Sequence, residues 1–256
     1  MFNKATEKKI EDNKSKTRIL ICGADGYIGV ALYRYLEERG YLVIGIDNNI
    51  RERNVINIGS DSLTRASKPS DIKIDISLQY KDLKELITSF RPNTIVNLAQ
   101  QPSAPFSMAS ADNAIETQRN NICGGLNVMW AVKEIDPSIH IIHLGTTGLF
   151  SDWIYPLYQE VPEDPRVTVQ RNGKDWEIPT PKYGGSLYHT AKAHEALNAD
   201  YLCRIWGINV TDLNQGIVYG QTNGNRFDYD STFGTLINRF VVQAVAGIPL
   251  TVYGTG

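Results

Sequence analysis

Residues 17–29 read TRILICGADGYIG. The first six form a short apolar run with β-branched residues, bounded by glycine, which predicts a buried strand. The next seven carry Gly23, Gly26 and Gly29 at GxxGxxG spacing. VALYRYLEERG follows, with Val30, Leu32, Tyr33 and Leu36 at helical spacing and Gly40 as a stop signal. Strand, glycine turn and helix are therefore consecutive. In such a turn Gly23 permits the tight bend, Gly26 lets backbone approach a pyrophosphate, and Gly29 lets the helix pack on the strand. The helix N-terminus then faces the phosphates with free N–H groups and the positive end of its dipole.

Further units follow the same plan. YLVIGID (41–47) reads as a second buried strand, IKID (72–75) as a third, TIVNLA (94–99) as a fourth, HIIHLG (140–145) as a fifth and NVTDLN (209–214) as a sixth. Helices are expected from Asp82 to Phe90, from about Ala111 to Glu134 and from Leu187 to Trp206. Strands alternating with helices imply right-handed βαβ crossovers and a Rossmann-type, doubly wound parallel α/β sheet. Three segments are expected: a lead-in (1–16), a dinucleotide-binding domain (17–215) with an inserted hairpin at about 151–185, and a small, truncated substrate-binding portion (216–256). The hairpin reading rests on VTVQRNGKDWEI (167–178), where Asn172-Gly173 suits a type I′ turn. The ribbon either lines a ligand crevice or stands on the surface.

Bulk properties narrow the class. A chain of 256 residues with 42% hydrophobic side chains can bury roughly three quarters of its unfolded surface. Its 26 basic and 28 acidic residues leave a net charge of −2, which gives no electrostatic footprint for nucleic acid or an anionic membrane. Cys22, Cys123 and Cys203 are widely spaced and form no disulfide framework or metal pair. No apolar run approaches the ~20 residues needed to span a bilayer. The lead-in MFNKATEKKIEDNKSK lacks an apolar signal core and is expected to be solvated and disordered. A reduced, cytoplasmic location is the simplest expectation, and no metal site is expected.

Asp47 ends the second strand, 24 residues after Gly23. A carboxylate there can accept hydrogen bonds from ribose hydroxyls and would repel a 2′-phosphate, which favours NAD over NADP, although Arg51 and Arg53 follow closely. A turn-forming role for Asp47 is the alternative. Cys22, beside the glycine loop, reads as a small buried thiol.

Tyr188 and Lys192 form YxxxK on the 187–206 helix, and residues four apart share a face. A neighbouring ammonium favours the phenolate, which lets Tyr188 serve as a general base. Lys192 can also hold a nicotinamide ribose. Thr146, just past the fifth strand, lies at the carboxyl edge where ligands bind in such sheets, with Thr147 as a competing neighbour. His189 could carry a second proton, although a lone helical histidine is more often structural.

With these residues the chain resembles the extended short-chain dehydrogenase/reductases of the NAD-dependent epimerase/dehydratase family that modify nucleotide sugars. Within that family it is most similar to the UDP-sulfoquinovose synthase branch. The carrying stretches are SAPFSM (103–108), TQRNN (117–121), LGTTG (144–148), LYHTAK (187–192), TDLNQGIVYG (211–220), FDYDSTFGTLINRF (227–240) and PLTVYG (249–254). The resemblance implies that bound NAD oxidises C4 of UDP-glucose, water leaves across C5–C6, sulfite adds at C6, and the C4 ketone is reduced again, as in sulfolipid biosynthesis. It places Thr146, Tyr188, Lys192 and His189 in the catalytic set. It places Gly23, Asp25, Gly26, Tyr27, Ile28, Gly29, Asp47, Asn48, Arg51, Ala99, Asn120, Tyr188 and Lys192 on the cofactor, with Asp75 and Ile76 meeting the adenine. Asp75 has a capping role as its alternative. On the substrate it places Gln101, Thr146, Tyr188, Gln215, Thr235, Asn238 and Arg239, the last either pairing with a phosphate or standing on the surface. A homodimer is expected.

The chain also departs from the family. Gln100 and Pro102 stand where the family has an acidic residue and an arginine, and Leu149 stands where it has a glutamate. The family also continues well beyond the position matching Gly256. Ordinary 4,6-dehydratases of this class carry an Asp-Glu pair after the catalytic threonine, where this chain has Thr147 and Gly148. A UDP-sugar 4-epimerase, which needs only the Thr/Tyr/Lys set, is the alternative activity. A non-catalytic NAD-binding regulator is the reading from another class.

Overall fold

β1 (Arg18–Cys22) lies at the centre of a fully parallel sheet and is hydrogen-bonded on one side to β2 (Leu42–Asp47) and on the other to β4 (Thr94–Asn97). The computed structural model describes residues 4–11, 16–57, 68–150, 166–179, 182, 184–221 and 227–252. Outward from β2 lies the two-residue β3 (Ile72–Lys73), and outward from β4 lie β5 (His140–Thr146) and β8 (Asn209–Gln215). The order β3-β2-β1-β4-β5-β8 is that of a doubly wound Rossmann-type α/β fold, with its switch point between β1 and β4.

Both faces of the central strands are covered, so β1 and β2 are almost continuously apolar rather than alternating. On one face Leu20, Ile44 and Ile95 meet α4 (Tyr80–Phe90) through Leu83, Leu86 and Phe90, and α7 (Gly124–Ile135) through Val128 and Val132. On the other, Ile21, Val43 and Val96 meet Tyr33 of α2 (Tyr27–Glu38). α8 (Leu187–Trp206) closes the first face with Ala199 and Leu202. β8 is an edge strand, and much of it is exposed.

Four differences from the sequence reading have physical causes. The lead-in, expected to be disordered, contains α1 (Lys4–Glu11). Its Lys9 Nζ donates to Tyr33 Oη at 2.6 Å and Glu37 Oε1 at 2.8 Å, and Ile10 packs against the core. Composition hides this because one face of a charge-rich helix carries all the anchoring groups. The third strand stops at Lys73, since Asp75 turns the chain by accepting from Ser77 N and Oγ. The helix expected over 111–134 is α6 (Ala111–Gln118), a π turn (Arg119–Cys123) and α7. The third helix, α3 (Ile50–Asn57), the short α5 (Ala104–Ser107) and α9 (Leu236–Val245) carried no recognised signal.

The hairpin forms as expected: β6 (Arg166–Arg171) pairs antiparallel with β7 (Lys174–Pro179). Asn172 and Gly173 both have positive φ, 53° and 70°, as a type I′ turn requires. Every residue of the two strands except Val167 is exposed, which makes it a surface ribbon. The remainder of the 151–185 insert lies largely outside the described residues. No described helix is long and apolar enough to cross a membrane.

Candidate active site

The glycine loop is built against β2 and the end of β4. Gly23 N and Ala24 N both donate to Ile46 O, at 2.8 and 3.1 Å. Gly23 has φ +83°, and a Cβ on it would lie 2.6 Å from the Leu98 carbonyl carbon. A Cβ on Gly29 would lie 2.1 Å from Gly23 O, so α2 could not approach β1 with any side chain there. Gly23 and Gly26 open onto a cleft of about 430 Å³ whose walls include Asp47, Asn48, Arg51, Ile74, Ile76, Leu98, Ala99, Gln100 and Asn120. A cradle that only glycine permits, at a helix N-terminus and ending on a carboxylate, fits a dinucleotide. Cys22, behind the loop, is fully buried, and burial pushes its thiol up to about 12, as an inert core residue.

The acidic groups around the cleft differ in what already engages them. Asp47 accepts from Asp25 N at 2.9 Å and Asn49 N at 2.7 Å. Its pKa is raised because burial outweighs those bonds. Asp25 accepts from Ser70 N and Oγ and from Asn49 Nδ2, and so ties the loop to residue 70. Asp75 caps the turn at Ser77 and accepts from Asn48 Nδ2 at 3.0 Å. Asp25 and Asp75 thus brace the loop and the turn, while Ile76 is buried in the cleft wall. Ile28 lies in the first turn of α2. Arg51 pairs with Asp228 at 2.7 Å, and its guanidinium stacks 3.9 Å above Phe233.

On the other side of the switch point, β5 delivers Thr146 and α8 delivers Tyr188, His189 and Lys192. Ser186 caps α8, and its hydroxyl lies 2.9 Å from His189 Nδ1. The Tyr188 and His189 rings meet edge-on at 5.0 Å between centroids. Burial, together with the charge of Glu195, pushes the Tyr188 phenol up to about 12 against a lowering by Thr146. Burial and Glu195 therefore set the direction of the shift, against the lowering expected from Lys192. The Lys192 ammonium donates to Leu144 O and lies 3.8 Å from Glu195 Oε2, and burial lowers its own pKa. Thr147 points elsewhere, towards Gln215 O.

The remaining expected residues divide into two groups. Gln101 is 2% exposed, and its amide is consumed by Ser103 and Thr117. It braces the loop after β4 from inside the fold rather than facing a sugar. Asn120 sits in the π turn and donates to Ala99 O at 3.2 Å. The extra residue of a π turn rotates the helix face, which brings Asn120 to the cleft. Gln215 lies opposite Thr146 in the β5–β8 register. Asn238 donates to Tyr27 Oη at 3.1 Å and accepts from Gly220 N at 3.0 Å, while Tyr27 donates to Gly220 O. Arg239 donates to Thr251 O at 3.2 Å and is 7% exposed. Thr235 is the N-cap residue of α9.

Sequence reasoning passed over Glu195, His143 and Asp228. Glu195 is fully buried, and burial raises its carboxyl to about 7 against the charge of Lys192. Its signal was available: it stands three residues beyond Lys192, among the alanines 191, 193, 196 and 199 that mark the packed face of α8. Leu149, one of the departures, is 1% exposed, so an aliphatic core position replaces an acid.

Residues 19–256 match the NAD dependent epimerase/dehydratase family. The chain is 37% identical to a chloroplastic UDP-sulfoquinovose synthase of Spinacia oleracea, over 96% of this chain and 55% of that protein. It is 38% identical to a UDP-sulfoquinovose synthase of Sulfolobus acidocaldarius, over 93% of this chain and 65% of that protein. It therefore spans little more than half to two thirds of these relatives. Among solved structures, a UDP-glucose 4-epimerase of Thermotoga maritima superposes with a TM-score of 0.65 at 22% identity, covering 94% of this chain and 67% of the other. The glycine-loop cleft at the switch point and the match along residues 19–256 agree: this chain belongs to the NAD dependent epimerase/dehydratase family.

Proposed function

We propose that this chain is the NAD-binding and redox part of a UDP-sulfoquinovose synthase-like enzyme, which converts UDP-glucose and sulfite to UDP-sulfoquinovose and water. The observation that carries this reading is the 37–38% identity to two such synthases along nearly the whole chain. NAD, when bound, supplies a reversible hydride acceptor for C4 of the sugar. The glycine loop would hold its pyrophosphate, Asp47 its adenosine ribose, and Asn120 would support the nicotinamide side. Tyr188, with Thr146 beside it, would take the proton of the C4 hydroxyl and later return it. Charge on Lys192 favours the phenolate that this transfer needs. His189, whose Nδ1 lies 2.9 Å from Ser186 Oγ, would serve the proton exchanges at C5 and C6.

A UDP-sugar 4-epimerase is the second reading, favoured by Pro102 and Leu149, which remove the family's arginine and glutamate. The deciding experiment is incubation of the protein with NAD, UDP-glucose and sulfite, followed by mass spectrometry of the nucleotide sugars. A sulfite-dependent UDP-sulfohexose supports the synthase. UDP-galactose without a sulfonated product moves the assignment to the epimerase.

The same reading extends to assembly and location. On α8, Leu197, Tyr201 and Ile205 are 59%, 53% and 49% exposed. Their i, i+4, i+8 spacing makes one apolar stripe, which suits a homodimer packed through this helix. The cytoplasm is the proposed compartment, consistent with the three free thiols.

A further inference from the structure

The surroundings of Lys192 pose an electrostatic problem that the Thr–Tyr–Lys set does not solve by itself. Lys192 is 3% exposed. An ammonium removed from water discharges unless an opposite charge holds it, and Leu144 O satisfies only one of its three donors. Glu195 is the nearest carboxylate. It is 0% exposed, with Oε2 3.8 Å from Lys192 Nζ and 3.7 Å from His143 Nε2. Its Oε1 accepts from Gln100 Nε2 at 2.9 Å.

The surrounding elements are shaped around that carboxylate. On α7, Gly125 leaves the room it occupies, since a Cβ there would lie 2.6 Å from Glu195 Oε1. His143 of β5 is 4% exposed and held neutral: burial, with the charge of Lys192 beside it, pulls its pKa well below the usual value. Asp212 of β8 stands opposite His143 in register and adds a second, weaker negative charge towards Lys192, itself offset by Lys182. Among the described residues Tyr188 on α8 also feels the charge of Glu195. Within this cluster Glu195 Oε2, His143 Nε2, Gln100 Oε1 and Asp212 Oδ1 have no hydrogen-bond partner among the described residues. Buried polar atoms left in that condition cost stability, which marks the cluster as something other than packing.

We propose that Glu195 is a positioning residue for the C4 redox step: seated by Gln100 and Gly125, its carboxylate keeps Lys192 charged and fixed one helical turn from Tyr188. The role rests on the redox reading above. It acts through the lysine, because the carboxylate's direct effect on Tyr188 opposes phenolate formation. Remove the carboxylate and the lysine discharges, so the phenolate loses its positive neighbour.

The test separates this role from the identity of the substrate. Lysine ¹³Cε NMR of the NAD-bound protein, with Lys192 assigned by Lys192→Arg, follows the ammonium directly as pH is varied. In Glu195→Gln the Lys192 midpoint should fall by about one unit, a tenfold change in its protonation ratio. Gln100→Leu should produce a smaller fall, and Glu195→Asp should restore part of it. Sugar-dependent NAD reduction should lose about tenfold in kcat with KM nearly unchanged, and its alkaline limb should move down with the lysine midpoint. An unmoved midpoint in folded Glu195→Gln overturns the proposal. Should that variant not fold, an unmoved midpoint in Gln100→Leu overturns it instead. A shifted midpoint in a protein that turns over no UDP-sugar upholds the positioning role and removes the substrate assignment.

Discussion

Gly148 makes room for His189: a methyl group on the glycine would lie 2.6 Å from Nε2 of the imidazole. The loop after β5 and the first turn of α8 therefore share one space, and the histidine occupies it. Gly148→Ala should displace the ring while leaving the cofactor cleft intact. A fall in kcat of tenfold or more is expected, since misplacing a proton-transfer group by about 1 Å can cost up to a hundredfold. NAD affinity, read by fluorescence titration, should stay within twofold. Equal loss of NAD binding would mean that the glycine serves the loop and not the histidine.

Tyr188→Phe removes the hydroxyl and keeps the ring. The rate of NAD reduction by UDP-glucose should fall by about 10²–10⁴, the usual worth of a positioned acid–base group. Single-turnover absorbance at the reduced-cofactor band measures it. Undiminished reduction would exclude Tyr188 as the base.

Two buried groups should give stability opposite pH dependences. Glu195 is raised in the folded state to about 7, so its contribution is present below its unfolded pKa and lost as pH rises through about 7. His143 is lowered below 6.5, so its contribution is present above 6.5 and lost on acidification. The two partly cancel between about pH 4.5 and 6.5. Glu195→Gln should therefore lose stability more steeply than the parent as pH falls. His143→Asn should gain stability instead, each by at most about 1.4 kcal/mol per pH unit. Urea midpoints at a series of pH values check both signs.

Cofactor choice should respond to two acids. Asp47, proposed above to meet the adenosine ribose, lines the cleft, and Asp228 engages Arg51 at 2.7 Å. Asp47→Asn with Asp228→Asn should remove the repulsion and release the Arg51 guanidinium from Asp228. The ratio of NADP to NAD affinity should rise by about tenfold or more, in line with a coupling of ~1–3 kcal/mol for charge-assisted hydrogen bonds. An unchanged ratio would show that neither acid sets the preference.

The apolar stripe on α8 makes a prediction about assembly. Tyr201→Glu places a charge among Leu197 and Ile205 and should convert a dimer to a monomer in sedimentation velocity. A parent chain that already sediments as a monomer would remove the dimer.

How legible was all this in the amino-acid sequence? Periodicity and glycine placement were sufficient for the central strands, because β1 and β2 are buried on both faces and read as unbroken apolar runs. YxxxK was legible because four-residue spacing has one meaning on a helix. α1 was not, since its anchors are a lysine and two partners more than twenty residues away. The π turn at Arg119–Cys123 was invisible because no local residue type marks an inserted position. Glu195 was passed over because its importance lies in burial, and a glutamate on a helix is ordinarily solvated. Gln101 was placed on the substrate by resemblance, while the fold uses its amide internally.

The pairs Arg51–Asp228 and Tyr27–Asn238 stitch the nucleotide side of the cleft to the segment that leads into α9. Two ligands that each order one end of those stitches share a single free-energy balance, and linkage makes the sharing reciprocal. By whatever factor a nucleotide sugar tightens the grip on the dinucleotide, the dinucleotide must tighten the grip on the sugar. In the proposed synthase, which returns its cofactor to the starting oxidation state in each cycle, such coupling would hold the dinucleotide most firmly while a sugar is present, when its escape would strand a half-finished product.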